Sequence, residues 1–234
     1  MGTTQASVTT ARPPNKKVCY WVIADCLSVE NEIHEEWVLY NTTSVMSQLG
    51  LDVFKLAREI QPPIDYSGMK DPRSGEPQRL PGLGKPPVLP PYTGEDFDVE
   101  DFVRRAFHEI WNWRLIGKAN DYYAPNVRFH GAGDRELYGT GQLRSYFMSL
   151  FAMFPNLAHQ IDHIYWMGND QEGYSVSVRW SLEGSHRGPG LYGKPTGKPI
   201  SMWGISQLYI RNGKIVEEWT LFNEFAVLQQ ILLG

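Results

Sequence analysis

The residue types best suited to moving a proton or holding an oxyanion lie in the C-terminal half of the chain, on segments with strand-like alternation. Along 174–184, Val176, Val178, Trp180 and Leu182 form an apolar face, and Ser177, Arg179 and Ser181 form the opposite one, because successive strand side chains point to opposite sides. If the polar face is aimed into an enclosed chamber, Arg179 can hold an enolate oxygen or a substrate carboxylate. If it faces outward, the same arginine is an ion-pair partner for Glu217 or Glu218. His186 follows Gly184, whose bulge would re-aim the imidazole toward a pocket mouth, where a group titrating near neutrality can transfer protons. The alternative is that it bonds the backbone of its own glycine-rich turn. Glu217 and Glu218 face opposite ways, with Trp219 on the Glu217 side. One carboxylate of the pair therefore meets a ring-lined chamber, where burial raises its pKa and fits it to act as a base. The expected catalytic set is His186, Arg179 and Glu217.

Asp162 and His163 are adjacent and so lie on opposite strand faces; they form no dyad. Trp111, Trp113, Trp166, Trp203 and Trp219 read as core or pocket wall, the usual place of rings at these spacings. The sequence has no Walker loop, dinucleotide fingerprint, HExxH or paired CxxC, so neither nucleotide nor metal is expected, and no cofactor. Cys19 and Cys26 fall on opposite faces of a strand, which disfavours a local disulfide.

A chain of 234 residues makes one large domain or two small ones. With 42% hydrophobic residues and a mean hydropathy of -0.37 it can bury a core. The net charge of -4 gives no reason to expect nucleic acid or an anionic membrane as partner. The first residues lack the apolar core of a secretory signal, and no 18-residue apolar run occurs; a cytoplasmic location is the default expectation. The sequon at Asn41-Thr42-Thr43 then carries no meaning.

The elements that must position these residues follow from periodicity. Residues 1–17 read as a disordered tail, and residues 61–94, rich in proline, as an extended linker that can bury Leu80, Leu83, Val88 and Leu89. From residue 95 the pattern is regular. Asp96 or Asp98 caps a helix with Val99, Phe102, Val103, Ala106, Phe107 and Ile110 on one stripe. A short helix covers Lys118 to Tyr123. Thr140 caps a third helix bearing Leu143, Tyr146, Phe147, Leu150 and Phe151, ended by Pro155. Val127 to His130 reads as a short strand, and four longer strands start at His159, Tyr174, Ile200 and Lys214, the last two joined by an Asn212-Gly213 turn. Helices followed by an antiparallel meander make an α+β order, a sheet curled around helices with a pocket between.

An earlier stretch repeats the chain's end. Residues 21–51 and 203–233 align at a constant offset of 182 (Trp21 with Trp203, Trp37 with Trp219), and Ile33, Glu35, Glu36, Leu39, Asn41, Val45 and Gln48 also meet their own residue type. Residues 18–60 are therefore read as the last hairpin and helix of an incomplete copy of the domain at 95–234. A lone hairpin is marginal in water, so this segment must pack on its own complete domain or on a partner chain, and its deletion should change solubility or oligomeric state.

The complete copy resembles SnoaL-like polyketide cyclases of the nuclear-transport-factor-2-like superfamily in an ordered series of motifs. These are Phe129-His130-Gly131, Arg135-Glu136-Leu137-Tyr138-Gly139, Phe154-Pro155-Asn156, Arg179-Trp180, Gly184-Ser185-His186-Arg187-Gly188, Tyr192 to Gly197, and Gly213 to Trp219. The resemblance implies a cone-shaped curved antiparallel sheet wrapped around N-terminal helices, and two-copy members with a proline-rich linker occur in the family. It implies cyclase, isomerase or lyase chemistry, or non-catalytic binding; fold alone does not choose. In epoxide hydrolases of the superfamily an arginine and an aspartate sit two apart on a matching strand. Here Arg179 resembles that arginine, but Ser181 stands at the aspartate and Leu221 at a second one, which argues against that chemistry. Cyclases of the family carry an aspartate shortly after the motif tryptophan, where this chain has Asn223 and Glu224. The ligand-binding set implied is His130, Ser181, Trp203, Trp219, Asn223 and Trp111. The expected ligand is a small, mostly apolar carbonyl compound, and the expected assembly a homodimer through the open sheet face. The rival reading is a ligand-binding or protein-interaction module of the same fold.

Overall fold

The computed structural model describes residues 16–61, 88–94 and 96–233. The chain begins with a hairpin, β1 (Val22–Val29) and β2 (Glu32–Tyr40), followed by α1 (Thr42–Leu49) and α2 (Val53–Glu59). After the linker come α3 (Val99–Phe107), extended by a π-turn at His108–Asn112, and α4 (Ala119–Tyr122), preceded by a 3-10 turn at Ile116–Lys118. Then follow β3 (Tyr123–Gly131), β4 (Arg135–Tyr138), α5 (Gly139–Met153), β5 (Ala158–Asn169), β6 (Gly173–Ser185), β7 (Pro199–Arg211), β8 (Lys214–Phe222) and α6 (Glu224–Leu232).

Helix α3 starts where the sequence places it. Asp98 accepts a hydrogen bond from the amide of Asp101 at 2.9 Å, and acidic residues in the first turn with arginines in the last suit the helix dipole. Its apolar stripe is buried, Val103 and Ala106 almost completely. Helix α5 differs from expectation at its start. Thr140 does not cap it; the helix opens at Gly139, whose φ of 77° a glycine adopts without steric cost, and Gln142 reaches back to accept from the amide of Tyr138 at 2.9 Å.

The main sheet has six strands in the order β4-β3-β8-β7-β6-β5. The four late strands form the expected antiparallel meander. The sheet as a whole is mixed, because β3 runs parallel to β8, and β4, read from sequence only as a stretch before a helix, pairs with β3 as the edge. Helices α3 and α5 close one face, and the core between them includes Phe107, Ile110, Phe129, Leu143, Phe147 and Trp180.

The other face is not open. The β1–β2 hairpin lies on it, with Trp21 edge-on to Trp219 at 5.0 Å and Trp37 edge-on to Trp203 at 5.3 Å. Asn41, buried at the start of α1, accepts from the amide of Gly133 at 2.9 Å and donates to Asp134 at 3.2 Å, while Ser44 donates to Asp134 at 2.6 Å. Thr43 donates to Glu224 at 2.8 Å, a carboxylate that also takes an arginine proton from Arg135. The segment is thus fastened to both the sheet and its β3–β4 turn. Of the linker, residues 88–94 carry neither helix nor strand; Val88 is exposed, and Leu80 and Leu83 lie outside the described residues, as do residues 1–15 of the tail.

Candidate functional site

Strand register decides which side chains share a face. Val176 pairs with Leu208 and Leu208 with Glu218; Val178 pairs with Ser206 and Ser206 with Thr220; Trp180 pairs with Gly204 and Gly204 with Phe222. These three rows face the helices. Side-chain parity is therefore opposite to the sequence expectation: the valine face of β6 lines the interior, and Arg179, Ser177 and Ser181 point outward. Burial drives the choice, since the valine–tryptophan stripe removes far more apolar area from water than the serine–arginine face would. Gly204 makes room in the third row; a β-carbon there would come within 2.1 Å of the Trp180 ring.

The enclosed chamber lies between α3, α5 and the inner sheet face. Trp111, Phe129, Tyr146, Trp180, Tyr192 and Phe222 are among its walls, and its free volume is about 30 Å³. On its sheet wall sits one fully buried carboxylate. Glu218 accepts at Oε2 from the phenol of Tyr123 at 2.7 Å and at Oε1 from Thr220 at 2.6 Å. The Thr220 hydroxyl is 2.7 Å from that of Ser206, which in turn accepts from the indole of Trp180 at 3.0 Å. Burial pushes the Glu218 carboxyl above its ordinary range, against the smaller opposing pull of the Thr220 and Tyr123 hydrogen bonds. The same burial keeps the phenols protonated: Tyr146 is pushed up to about 12, chiefly by desolvation. His159 is stacked on Trp111 at 5.5 Å, and its backbone is clamped by Asn112, which accepts from the His159 amide at 2.9 Å and donates to its carbonyl at 3.0 Å.

The expected catalytic triad does not converge. Arg179 lies on the outer face with its guanidinium 4.1 Å from the ring of Trp37 and Nε 3.7 Å from Asp25. The N-terminal hairpin thus supplies it with an ion-pair partner. Glu217 is also outside, accepting from Arg128 at 2.8 Å and lying 3.2 Å from His130. His186 is fully buried behind Phe154, at 5.5 Å between rings; Nδ1 is 3.3 Å from Thr196, and burial lowers its pKa.

The expected ligand residues separate in the same way. Trp111 lines the chamber. His130 stacks on Trp219 at 3.7 Å on the outer face, Trp203 is under Trp37, and Ser181 donates outward to Asp162 at 3.1 Å. Asn223 caps α6 by accepting from the amide of Ala226 at 3.0 Å. A second, more open hollow of about 320 Å³ lies on the outer face beside the hairpin, lined by Tyr165, Met167, Ser177, Gln207, Glu217 and Trp219. It is wider than the chamber, but its carboxylate is already engaged by Arg128 and His130. Sequence reasoning passed over the chamber residues Tyr146, His159, Ser206 and Thr220, and Tyr123, which bonds Glu218. Part of the signal was present: Ser206 interrupts the apolar inward face of β7, and Glu218 and Thr220 stand together on that of β8.

Cys19 and Cys26 are free and exposed. Among the described residues no three His, Cys, Asp or Glu side chains gather as a metal site, and no helix is long and apolar enough to cross a membrane.

Comparison with known proteins agrees with this architecture. No curated protein matches significantly. Among solved structures, a protein from Jannaschia sp. CCS1 assigned to the SnoaL-like polyketide cyclases superposes with a TM-score of 0.53 at 21% identity, over 60% of this chain and 99% of that one. A polyketide-cyclase-like protein from Acidithiobacillus ferrooxidans gives 0.48 at 20% identity, over 59% and 97%, and IdmH from Streptomyces antibioticus 0.47 at 21%, over 56% and 96%. At these identities the first of these speaks for the fold alone. The SnoaL-like polyketide cyclase family profile matches residues 101–231, more than half of the chain, and the protein is a member of that family.

Proposed function

We propose that the chain binds a small, largely apolar carbonyl compound in the cone chamber and moves a proton on it, with Glu218 as the acid–base group and no cofactor. The observation that carries this reading is the position of Glu218: a carboxylate buried among rings, its pKa raised by desolvation, beside phenols that stay protonated. A carboxyl raised in this way is a better base than an ordinary one and a usable acid. In the proposed step Glu218 takes a proton from the carbon next to the carbonyl. The electron pair of that C–H bond moves onto the carbonyl oxygen, where the Tyr146 hydroxyl donates a hydrogen bond. Return of the proton to a different atom completes an isomerisation; attack of the enolate carbon on a second carbonyl, whose C=O electrons move onto its oxygen and take the proton back from Glu218, completes a cyclisation.

One observation favours the rival, a binding module without chemistry: the space left in the chamber is about 30 Å³, about one water's worth, so a ligand enters only if walls such as Met202 and Leu150 move aside. Two measurements separate the readings. Native mass spectrometry of the purified protein reads what the chamber retains. Proton NMR in D₂O then follows loss of the α-proton of that compound, or of a small cyclic ketone used as probe. Exchange that needs Glu218 supports catalysis; retention without any exchange supports the module and ends the enzyme reading.

A further inference from the structure

The echo between the two ends of the chain extends from sequence into backbone geometry. β1 and β2 pair Val22 with Tyr40, Asp25 with Trp37 and Leu27 with Glu35. β7 and β8 pair Gly204 with Phe222, Gln207 with Trp219 and Tyr209 with Glu217, the same register 182 positions on. Both ladders break at the same place, between Leu27 and Ser28 in one and between Tyr209 and Ile210 in the other. Both turns use two residues of positive φ, Glu30 and Asn31 at 51° and 64°, Asn212 and Gly213 at 51° and 66°. The helix that follows is tied back identically: Gln48 exchanges two hydrogen bonds with the backbone of Cys19, at 2.7 and 2.9 Å, and Gln230 does so with Ser201, at 2.9 and 2.8 Å.

The two units also meet in a reciprocal way. By the offset, Trp21 corresponds to Trp203 and Trp37 to Trp219. The contacts cross over: Trp21 packs on Trp219, and Trp37 packs on Trp203. A contact of i with j accompanied by j with i is the rule of a two-fold interface between identical subunits; a hairpin laid on a sheet by apolar attraction alone has no reason to obey it.

We infer that residues 18–60 act as an in-chain surrogate for the C-terminal hairpin and helix of a second copy, so that the outer sheet face is an isologous association surface which this chain closes upon itself. The natural partner of that surface is the Trp203–Trp219 hairpin of another copy of this chain, and the segment excludes it by occupying the same contacts. Two edge-on tryptophan pairs add attraction beyond area burial, and tethering through the linker gives the segment an effective concentration on the order of millimolar against a free competitor. The surface contacts at Asn41, Thr43 and Ser44 fix its orientation. This inference stands independently of what the chamber binds.

The test uses the full chain and light scattering after size-exclusion chromatography, across low to high micromolar concentrations. Wild type is expected at the mass of one chain, 26.7 kDa. The double variant Trp21→Glu/Trp37→Glu, which releases the segment, is expected to shift to twice that mass as concentration rises, and adding Trp219→Glu to return it to one. Far-UV circular dichroism and a cooperative thermal transition verify the cone in each sample; should the glutamates prevent folding, Trp21→Ala/Trp37→Ala serves instead. A folded double variant that keeps the mass of one chain at every concentration overturns the inference. So does a doubling that survives Trp219→Glu, or a wild-type dimer that Trp219→Glu dissolves.

Discussion

The phenol of Tyr123 donates to Oε2 of Glu218 over 2.7 Å, joining the first residue of β3 to the middle of β8 across the parallel seam of the sheet. The bond stabilises the ionised carboxylate and so opposes the upward push of burial on its pKa. In Tyr123→Phe that opposition is lost, and the carboxyl titrates higher still. If Glu218 is the base, the acid limb of the pH–rate profile for α-proton exchange moves to higher pH, while Glu218→Gln abolishes exchange. Leaving Oε2 without its donor should also cost about 1–3 kcal/mol of stability, read by urea unfolding.

The raised pKa of Glu218 has a signed effect on stability. Because the folded-state value lies above the unfolded one, the folded chain binds this proton more tightly, and stability is gained as pH falls from the folded value to the ordinary carboxylate value. Above the folded value the burial penalty is carried in full. Glu218→Gln removes it, so the variant should melt higher than wild type at alkaline pH, and the gap should close as pH falls through that window. Thermal melts at a series of pH values check both sign and trend.

Gly204 is opposite Trp180, with its missing β-carbon 2.1 Å from the ring. Gly204→Ala should force Trp180 or the strand aside at about 1–3 kcal/mol. Its chamber would change shape as well, so intrinsic fluorescence should shift together with the unfolding midpoint.

Asn41 serves the β3–β4 turn with both ends of its amide, bonding Gly133 and Asp134. Asn41→Ala removes the partner of the half-buried Gly133 amide, an expected loss of about 0.5–1.5 kcal/mol. Hydrogen exchange should localise the loss to β1, β2 and α1 while β5 and β6 keep their protection.

Much of this architecture was legible because it is local. The α3 stripe ending at Ile110 follows from three-and-four spacing, and the β7–β8 turn follows from Asn212-Gly213. The parallel pairing of β3 with β8 was not, because it joins Phe129 to Glu218, far apart in sequence, and no local period encodes it. Parity was the costlier misreading. Alternation in β6 shows that Arg179 and Val178 face opposite ways, but only the position of the helices says which side is interior. Once Val178 faces in, Ser206, Thr220 and Glu218 follow by register, and Glu217 follows Arg179 out.

The hydroxyl relay behind Glu218 has a built-in direction. It ends at the Trp180 indole, a group with a hydrogen to give and no lone pair to offer in return, and an ionised carboxylate only accepts. While Glu218 is ionised, Thr220 gives its hydrogen to Glu218 and Ser206 gives its own to Thr220, so the chain runs toward the carboxylate. A proton arriving on Glu218 passes along that wall only if Thr220 and Ser206 both turn their hydroxyls, because Ser206 has one lone pair left beside the indole bond. The open interior asks for no such rearrangement, so the wall favours return of an acquired proton to whatever occupies the cone.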